Sequence, residues 1–341
     1  MNENQKRIAA WGAGINVGNS LDAIGGETAW NNPPVTRALI HAYASSGFKI
    51  LRIPVTWYGH IGPAPDYRIA PEWMARVREV VTWAMEENLR VILNTHHEQG
   101  KWLHIELMTL KDVMPVFVAV WKQIAEAFKD FSERLIFQGM NEPRLEGIPT
   151  EWEGGNEDVR QSINAFNYAF ISTVRESGGN NLTRDLCITT VGAKPFESSL
   201  RSMLVPKDEH LILTLHSYLP DSFVAMPQDG GYLYHYDHTV GKVLDRVFDI
   251  IERFAIPLGL PVMITEYGAV VKPDPVSGER NDAEVAIFTE NFLKRAKSLG
   301  IPCVWWDNGY FDSGDQYFGL FDRKNTHCMH PAVVDAIIKN T

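Results

Sequence analysis

Short apolar runs punctuate this chain, and between them apolar residues return at every third or fourth position. The runs are Gly14-Ile15-Asn16-Val17, Ile50-Leu51-Arg52-Ile53, Arg90-Val91-Ile92-Leu93, Leu135-Ile136-Phe137, Leu186-Cys187-Ile188-Thr189, Leu211-Ile212-Leu213-Thr214-Leu215, Val262-Met263-Ile264 and Cys303-Val304-Trp305. Several lack polar alternation, as parallel strands covered on both faces do. In the intervening stretches Trp73, Val77, Val80, Val81 and Ala84 share one helical face, as do Val120, Ile124 and Phe128, and Phe166, Phe170 and Val174. Asn88, Gly178 and Gly300 fall where such helices would end, at positions that favour left-handed backbone. Strand and helix alternating eight times predict an α/β architecture, a single (β/α)8 TIM barrel over residues 1–341. Polar segments at 151–156, 220–238 and 273–280 read as loops.

A doubly wound sheet is the alternative, but it would normally announce a phosphate loop. Gly12-x-Gly14-x-x-x-Gly18 misses the dinucleotide spacing by one residue, and no Gly-x-x-x-x-Gly-Lys-Ser/Thr, Gly-x-Ser-x-Gly or His-Glu-x-x-His string occurs. His96-His97-Glu98 looks like a metal cluster, yet neighbours on a strand point to opposite faces, so no metal and no cofactor is expected.

Bulk properties narrow the partners. The formal net charge of -10, from 42 acidic against 32 basic residues, argues against nucleic acid, which needs a basic stripe. No dense Lys/Arg cluster suits an anionic membrane surface, and no apolar run reaches the ~18 residues of a membrane span. A neutral polymer remains an acceptable partner. Cys187 and Cys303 lie in apolar runs and read as buried thiols, and with Cys328 they make no disulfide scaffold. The segment Met1 to Arg7 has no apolar core of a signal peptide.

Chemistry in a barrel sits at the C-terminal ends of the strands. There the chain offers Asn16 and Asn19, Arg52 with Thr56-Trp57, His96-His97-Glu98, Asn141-Glu142, His216-Ser217-Tyr218, Glu266-Tyr267 and Trp305-Trp306-Asp307-Asn308. Only the fifth strand, closing on Thr190-Val191-Gly192, is plain. Two carboxylates at one rim are what cleavage of a glycosidic bond requires. Glu142 as general acid would need its pKa raised toward the working pH, by burial and by the charge of Glu266. Glu266 would have to be ionised, and Arg52 and Tyr218 can hydrogen-bond it in that form. Asn141 can hold the 2-hydroxyl of the reacting sugar, and His96 and His216 can bind hydroxyls or tune the carboxylates. The bland readings are a structural ion pair for Arg52 and satisfied core histidines for His96 and His216. Sugar rings stack on indoles, which makes Trp306, Trp57, Trp30, Trp102 and Trp152 candidates, with Trp306 preferred over Trp305 because Trp305 continues an apolar strand.

Taken in order, several strings resemble glycoside hydrolase family 5 cellulases over nearly the whole length. They are Gly14 to Asp22, Gly47 to Trp57, Asn94-Thr95-His96-His97-Glu98, Gly139-Met140-Asn141-Glu142-Pro143-Arg144, Glu151 to Gly155, Thr265-Glu266-Tyr267-Gly268 and Cys303 to Asn308. The resemblance implies a retaining endo-β-1,4-glucanase acting on a β-glucan polysaccharide. It implies Glu142 as acid/base and Glu266 as nucleophile, with Arg52, His96, Asn141, His216 and Tyr218 in support. Asn19, Trp57, His97, Trp152 and Trp306 are expected to bind substrate. The Gly-Met-Asn-Glu-Pro-Arg and Glu-Trp-x-Gly-Gly strings are similar to the branch of broad-specificity endoglucanases, lichenases and xyloglucanases, and the family implies export. Gln138 and Thr265 stand where the family often has Glu and Gly, and the segment after Tyr218 is unusual. The rivals are a xyloglucanase or β-mannanase on the same scaffold, a non-catalytic sugar-binding barrel, and a metal-dependent hydrolase.

Overall fold

Eight parallel strands close into a barrel in chain order in the computed structural model, which describes residues 3–226, 231–274, 276–312 and 314–341. The strands are β1 (Gly14–Asn16), β2 (Ile50–Ile53), β3 (Arg90–Asn94), β4 (Leu135–Gln138), β5 (Leu186–Thr189), β6 (Leu211–Ser217), β7 (Val262–Tyr267) and β8 (Cys303–Trp305). Around them run α1 (Glu3–Ala9), α2 (Arg37–Ser45), α3 (Pro71–Glu86), α4 (Leu110–Phe128) and α5 (Glu157–Glu176). They are followed by α6 (Glu197–Arg201), α7 (Asp221–Val224), α8 (His238–Ile250), α9 (Asp282–Ser298) and α10 (Pro331–Asn340). The predicted architecture is therefore observed. Asn88, Gly178 and Gly300 do adopt positive φ at 60°, 72° and 69°. Part of the loop expected after the sixth strand, residues 227–230, lies outside the described residues.

Side chains alternate along a strand, so the barrel interior is built in layers. Ile50, Ile92, Ile136, Cys187, Ile212, Met263 and Val304 form one buried apolar cluster, closed from below by Ile8 of α1 and by Trp11. Helix α1 is fastened there by Gln5, whose Oε1 accepts from the Val262 N–H at 2.7 Å. Two residues further along each strand the same face carries Asn16, Arg52, Asn94, Gln138, Thr189, Thr214, Thr265 and Trp306. The outward set, including Leu51, Ile53, Leu93, Phe137, Leu213, Ile264 and Trp305, packs under the helices. An apolar floor thus supports a polar layer, and the active rim stands on that layer.

At the opposite end, before β5, Arg184 is buried and stacks 4.9 Å from Phe137. Its guanidinium donates to the carbonyls of Phe128, Phe131, Ser132 and Leu135, at 3.1, 2.9, 3.0 and 2.6 Å. Burial lowers its pKa to about 10, so it stays charged near neutrality. Arg184→Met should leave four carbonyls short of a donor and lower unfolding free energy by about 3 kcal/mol or more. Because the site lies at the other rim, turnover per folded molecule should be unchanged. Urea melts and initial rates on the same sample check both halves.

Candidate active site

Glu266 reaches the rim through an irregularity in β7. Regular alternation would put it on the outward face with Ile264. Instead β7 carries one surplus residue against both neighbours. Leu215 pairs with Ile264 but His216 with Glu266, and Cys303 pairs with Ile264 but Trp305 with Tyr267. The bulge turns Glu266 inward beside His216 and leaves Tyr267 outward, stacked on Phe292 of α9.

The inward carboxylate meets a buried cation. Arg52 is 0% exposed, so each of its donors must find a protein partner. Its Nη1 donates to Glu266 Oε1 at 2.6 Å and to Asn16 Oδ1 at 2.9 Å, its Nε to Gln138 Oε1 at 2.8 Å, and its Nη2 to Asn141 Oδ1 at 2.7 Å. Asn16 spends its amide nitrogen on the carbonyls of Thr265 and Trp305, both at 3.0 Å. Gln138, a neutral partner, passes its own donor to Thr214 Oγ1 at 3.1 Å. Glu266 is therefore the only carboxylate bonded to this guanidinium among the described residues. Asn141, with its oxygen held by Arg52, has its NH2 left to offer a hydroxyl. Tyr218 donates to Glu266 Oε2 at 3.0 Å, and burial, followed by the Glu266 charge, raises its pKa well above the ordinary value.

Glu142 stands after β4 with 21% of its side chain exposed. His216 Nδ1 lies 2.8 Å from its Oε1 and 3.5 Å from Glu266 Oε2. One oxygen of each carboxylate and this ring nitrogen all fall within 4.8 Å of one another. The expected rise in the Glu142 pKa is not what this geometry gives. Burial does push the carboxyl up, but the hydrogen bond and charge of His216, then Arg144 and Lys194, pull it below its usual value. His216 thus favours the ionised form of Glu142.

His96 and His97 also depart from expectation. Strand β3 ends at Asn94, so the strand rule no longer applies beyond it. The two rings meet edge to face at 4.4 Å, and a carboxylate oxygen of Asp22 lies within 4.8 Å of a nitrogen from each. Part of the trio's bonding capacity is already used. Asp22 accepts from the N–H groups of Asn19 and Ser20, at 3.0 and 2.8 Å, and His96 Nδ1 is occupied by Asn94. Glu98 is committed elsewhere, accepting from the N–H groups of Trp57 at 2.5 Å and Tyr58 at 3.0 Å. Burial pushes its pKa up to about 8. A cavity of about 280 Å³ runs between His96, His97, Asn141, Glu142 and Arg144.

The aromatic candidates divide. Trp57 is 0% exposed, with its indole N–H on the Asn94 carbonyl, and cannot touch a sugar. Ile53 is opposite in phase to inward-facing Arg52, and Val55 and Trp57 join it in the core cluster under the helices. Alternation favours Trp306 over Trp305. Trp305 is buried against Tyr267, whereas Trp306 stacks parallel to His96 at 5.6 Å and covers Gly18, where a Cβ would come within 2.5 Å of the indole. Trp102 packs on Phe117 at 6.5 Å, and Trp30 on His97 at 5.3 Å. Trp152 is 42% exposed, with Arg144 and Lys194 4.3 and 4.5 Å from its ring. Asn19 lies half-buried at the rim in left-handed backbone, φ 54°. Sequence reasoning passed over Asn94, Gln138 and Asp22 as site residues. The first two share the inward phase of Arg52, which could have found them.

Comparison with known proteins bears on this constellation. The profile of the family described as Cellulase (glycosyl hydrolase family 5) matches residues 14–312. Endoglucanase A of Ruminococcus albus is 41% identical over 334 residues, which are 96% of this chain and 90% of that protein. A GH5-4 broad specificity endoglucanase from Clostridium acetobutylicum superposes with a TM-score of 0.93 at 34% identity, covering 99% of this chain and 100% of that one. A GH5 xyloglucan-specific endo-β-1,4-glucanase from a metagenomic library, in complex with cellotriose, gives 0.92 at 35%, with 99% and 100% covered.

His216→Phe removes the donor to Glu142 and leaves burial in place, so the Glu142 carboxyl should titrate at higher pH than in the parent. Carbon-13 NMR of labelled glutamate carboxyls, assigned with Glu142→Gln, reads the change. An unshifted titration would mean that Arg144 and Lys194 hold the group down instead.

Proposed function

The chain belongs to glycosyl hydrolase family 5 and is an endo-acting β-glucan hydrolase; we propose that Glu142 and Glu266 carry its chemistry, as acid/base and nucleophile. The observation that supports this most is the pair of carboxylate oxygens within 4.8 Å of each other at one rim, with His216 between them. An inverting enzyme keeps its carboxyls roughly 6.5–9.5 Å apart to admit a water, whereas a retaining one needs the shorter gap. In this reading Glu266, held by Arg52 and Tyr218, attacks the anomeric carbon. Glu142 hands the glycosidic oxygen a proton drawn from its pair with His216. Glu266 loses its negative charge in the glycosyl ester, and Glu142 then takes a proton from the incoming water, whose oxygen displaces Glu266 with net retention.

Asn141 and His96 hold hydroxyls of the reacting sugar, Trp306 is its stacking face, and His97, Asn19 and Trp152 line neighbouring positions. Trp152, flanked by two cations, lies on the Arg144 side of Glu142, where the leaving chain would pass. The whole chain acts as one catalytic domain, and a polymeric substrate favours export. Internal β-1,4 bonds of soluble glucans are the expected targets, with xyloglucan as the rival, since relatives of both descriptions match equally well. Initial rates on barley glucan, xyloglucan, carboxymethyl cellulose, mannan and xylan decide between them.

Glu266→Ala should lose roughly 10⁴-fold or more in kcat on every substrate while oligosaccharide binding persists, because the covalent step is gone. Glu142→Ala should lose about 10²–10⁴-fold on glucan, and far less on aryl glycosides whose leaving groups need little protonation. Equal losses for both variants on both substrate types would reverse or cancel the assignment.

Acid, base and charge partner are all side chains in this reading, so dialysis against a chelator should leave kcat/KM unchanged. Activity lost on dialysis and restored by one divalent ion would contradict it.

A further inference from the structure

We propose that Asn94 is a positioning residue that locks His96 as a neutral ring with its proton on Nε2, so that His96 presents one permanent donor to a sugar hydroxyl. The inference rests on the glycosidase reading above for its ligand, but not for its geometry. Asn94 is the buried last residue of β3, on the inward face two residues before His96. Its Oδ1 accepts from the Val55 backbone N–H at 3.1 Å. That N–H can only donate, so it fixes which end of the amide faces it. The NH2 end therefore faces His96, 3.1 Å from Nδ1. An amide NH2 has no lone pair to accept with, so Nδ1 must be the acceptor, and a neutral imidazole then carries its hydrogen on Nε2.

The surroundings keep the ring neutral and still. Trp306 lies parallel to it, with only 3° between the planes, and His97 closes one edge. Arg52 on β2, His97 and His216 on β6 are the positive or protonatable groups facing it, and their charges add to burial, which comes first, in holding its pKa well below the usual histidine value. The acids nearby are Asp22, already bonded by two backbone N–H groups, and Glu142 across the cavity. The donor at Nε2 therefore keeps the same sign at every pH at which the carboxylates work, and it selects for a hydroxyl that accepts.

Nitrogen-15 NMR of the wild type, with His96→Gln for assignment, should show a protonated Nε2 and a bare Nδ1 across neutral pH. Asn94→Asp keeps the acceptor for Val55 and places a carboxylate against Nδ1. The ring should then titrate at higher pH. Below that pH it is an imidazolium that still has its Nε2–H; above it the proton stays on Nδ1 and the donor is lost. The variant's kcat/KM should therefore fall an additional 10- to 100-fold or so on the basic side, a fall the wild type does not show. A wild-type ring protonated on Nδ1, or a variant profile parallel to the wild type, overturns the proposal. If Asn94→Asp does not fold, the wild-type spectrum decides alone. A wild type inactive on every β-glucan but with Nε2–H intact would sink the glycosidase reading and leave the lock standing.

Discussion

A guanidinium that water cannot reach dictates much of this rim. Burying such a charge is costly unless every donor is met and a counter-charge lies at contact distance. Arg52 makes four hydrogen bonds, one of them to a carboxylate, with partners drawn from β1, β4 and β7 and from the turn after β4. Losing any one would leave a donor unpaired in a dry interior. The ring of partners is thus mutually enforced: Asn16 ties in the carbonyls of β7 and β8, and Gln138 ties in Thr214 of β6. Neutral Gln138 brings no competing charge, which leaves Glu266 as the one carboxylate bonded to the cation among the described residues.

Two carboxylates this close repel, and His216 between them is how the repulsion is managed. Its Nδ1 is near enough to serve either oxygen, but the shorter bond goes to Glu142. The histidine bonded to Glu142 and the guanidinium bonded to Glu266 give the two acids different electrostatic settings, although both lie against the same imidazole. Different roles for chemically identical side chains follow from that difference in environment.

Much of this was legible in the chain. Eight apolar runs gave the barrel, and the polar residues after them gave the rim. Alternation along β8 separated Trp305 from Trp306, but Trp57 lies beyond the end of β2, where it gives no guidance. What the sequence could not reveal was where alternation stops. His96 and His97 meet because β3 has ended, and Glu266 faces inward because β7 holds a surplus residue; neither event has a local signature. The lowered pKa of Glu142 was equally hidden, because it depends on a histidine 74 positions away in the chain.

The surplus residue in β7 has a bearing on recombination. Bulges are uncommon in parallel sheets, and this one spans Thr265 and Glu266, between two stretches whose pairing is regular. Barrel fragments from different parents could be spliced across most strands without changing which side chains look inward. A splice that forced Thr265 and Glu266 to pair one for one with a neighbouring strand, with no residue removed, would keep the apolar floor and the family signature, yet aim the carboxylate at the helices. Such a chimera would fold, be recognised as a relative by its sequence, and lack a nucleophile.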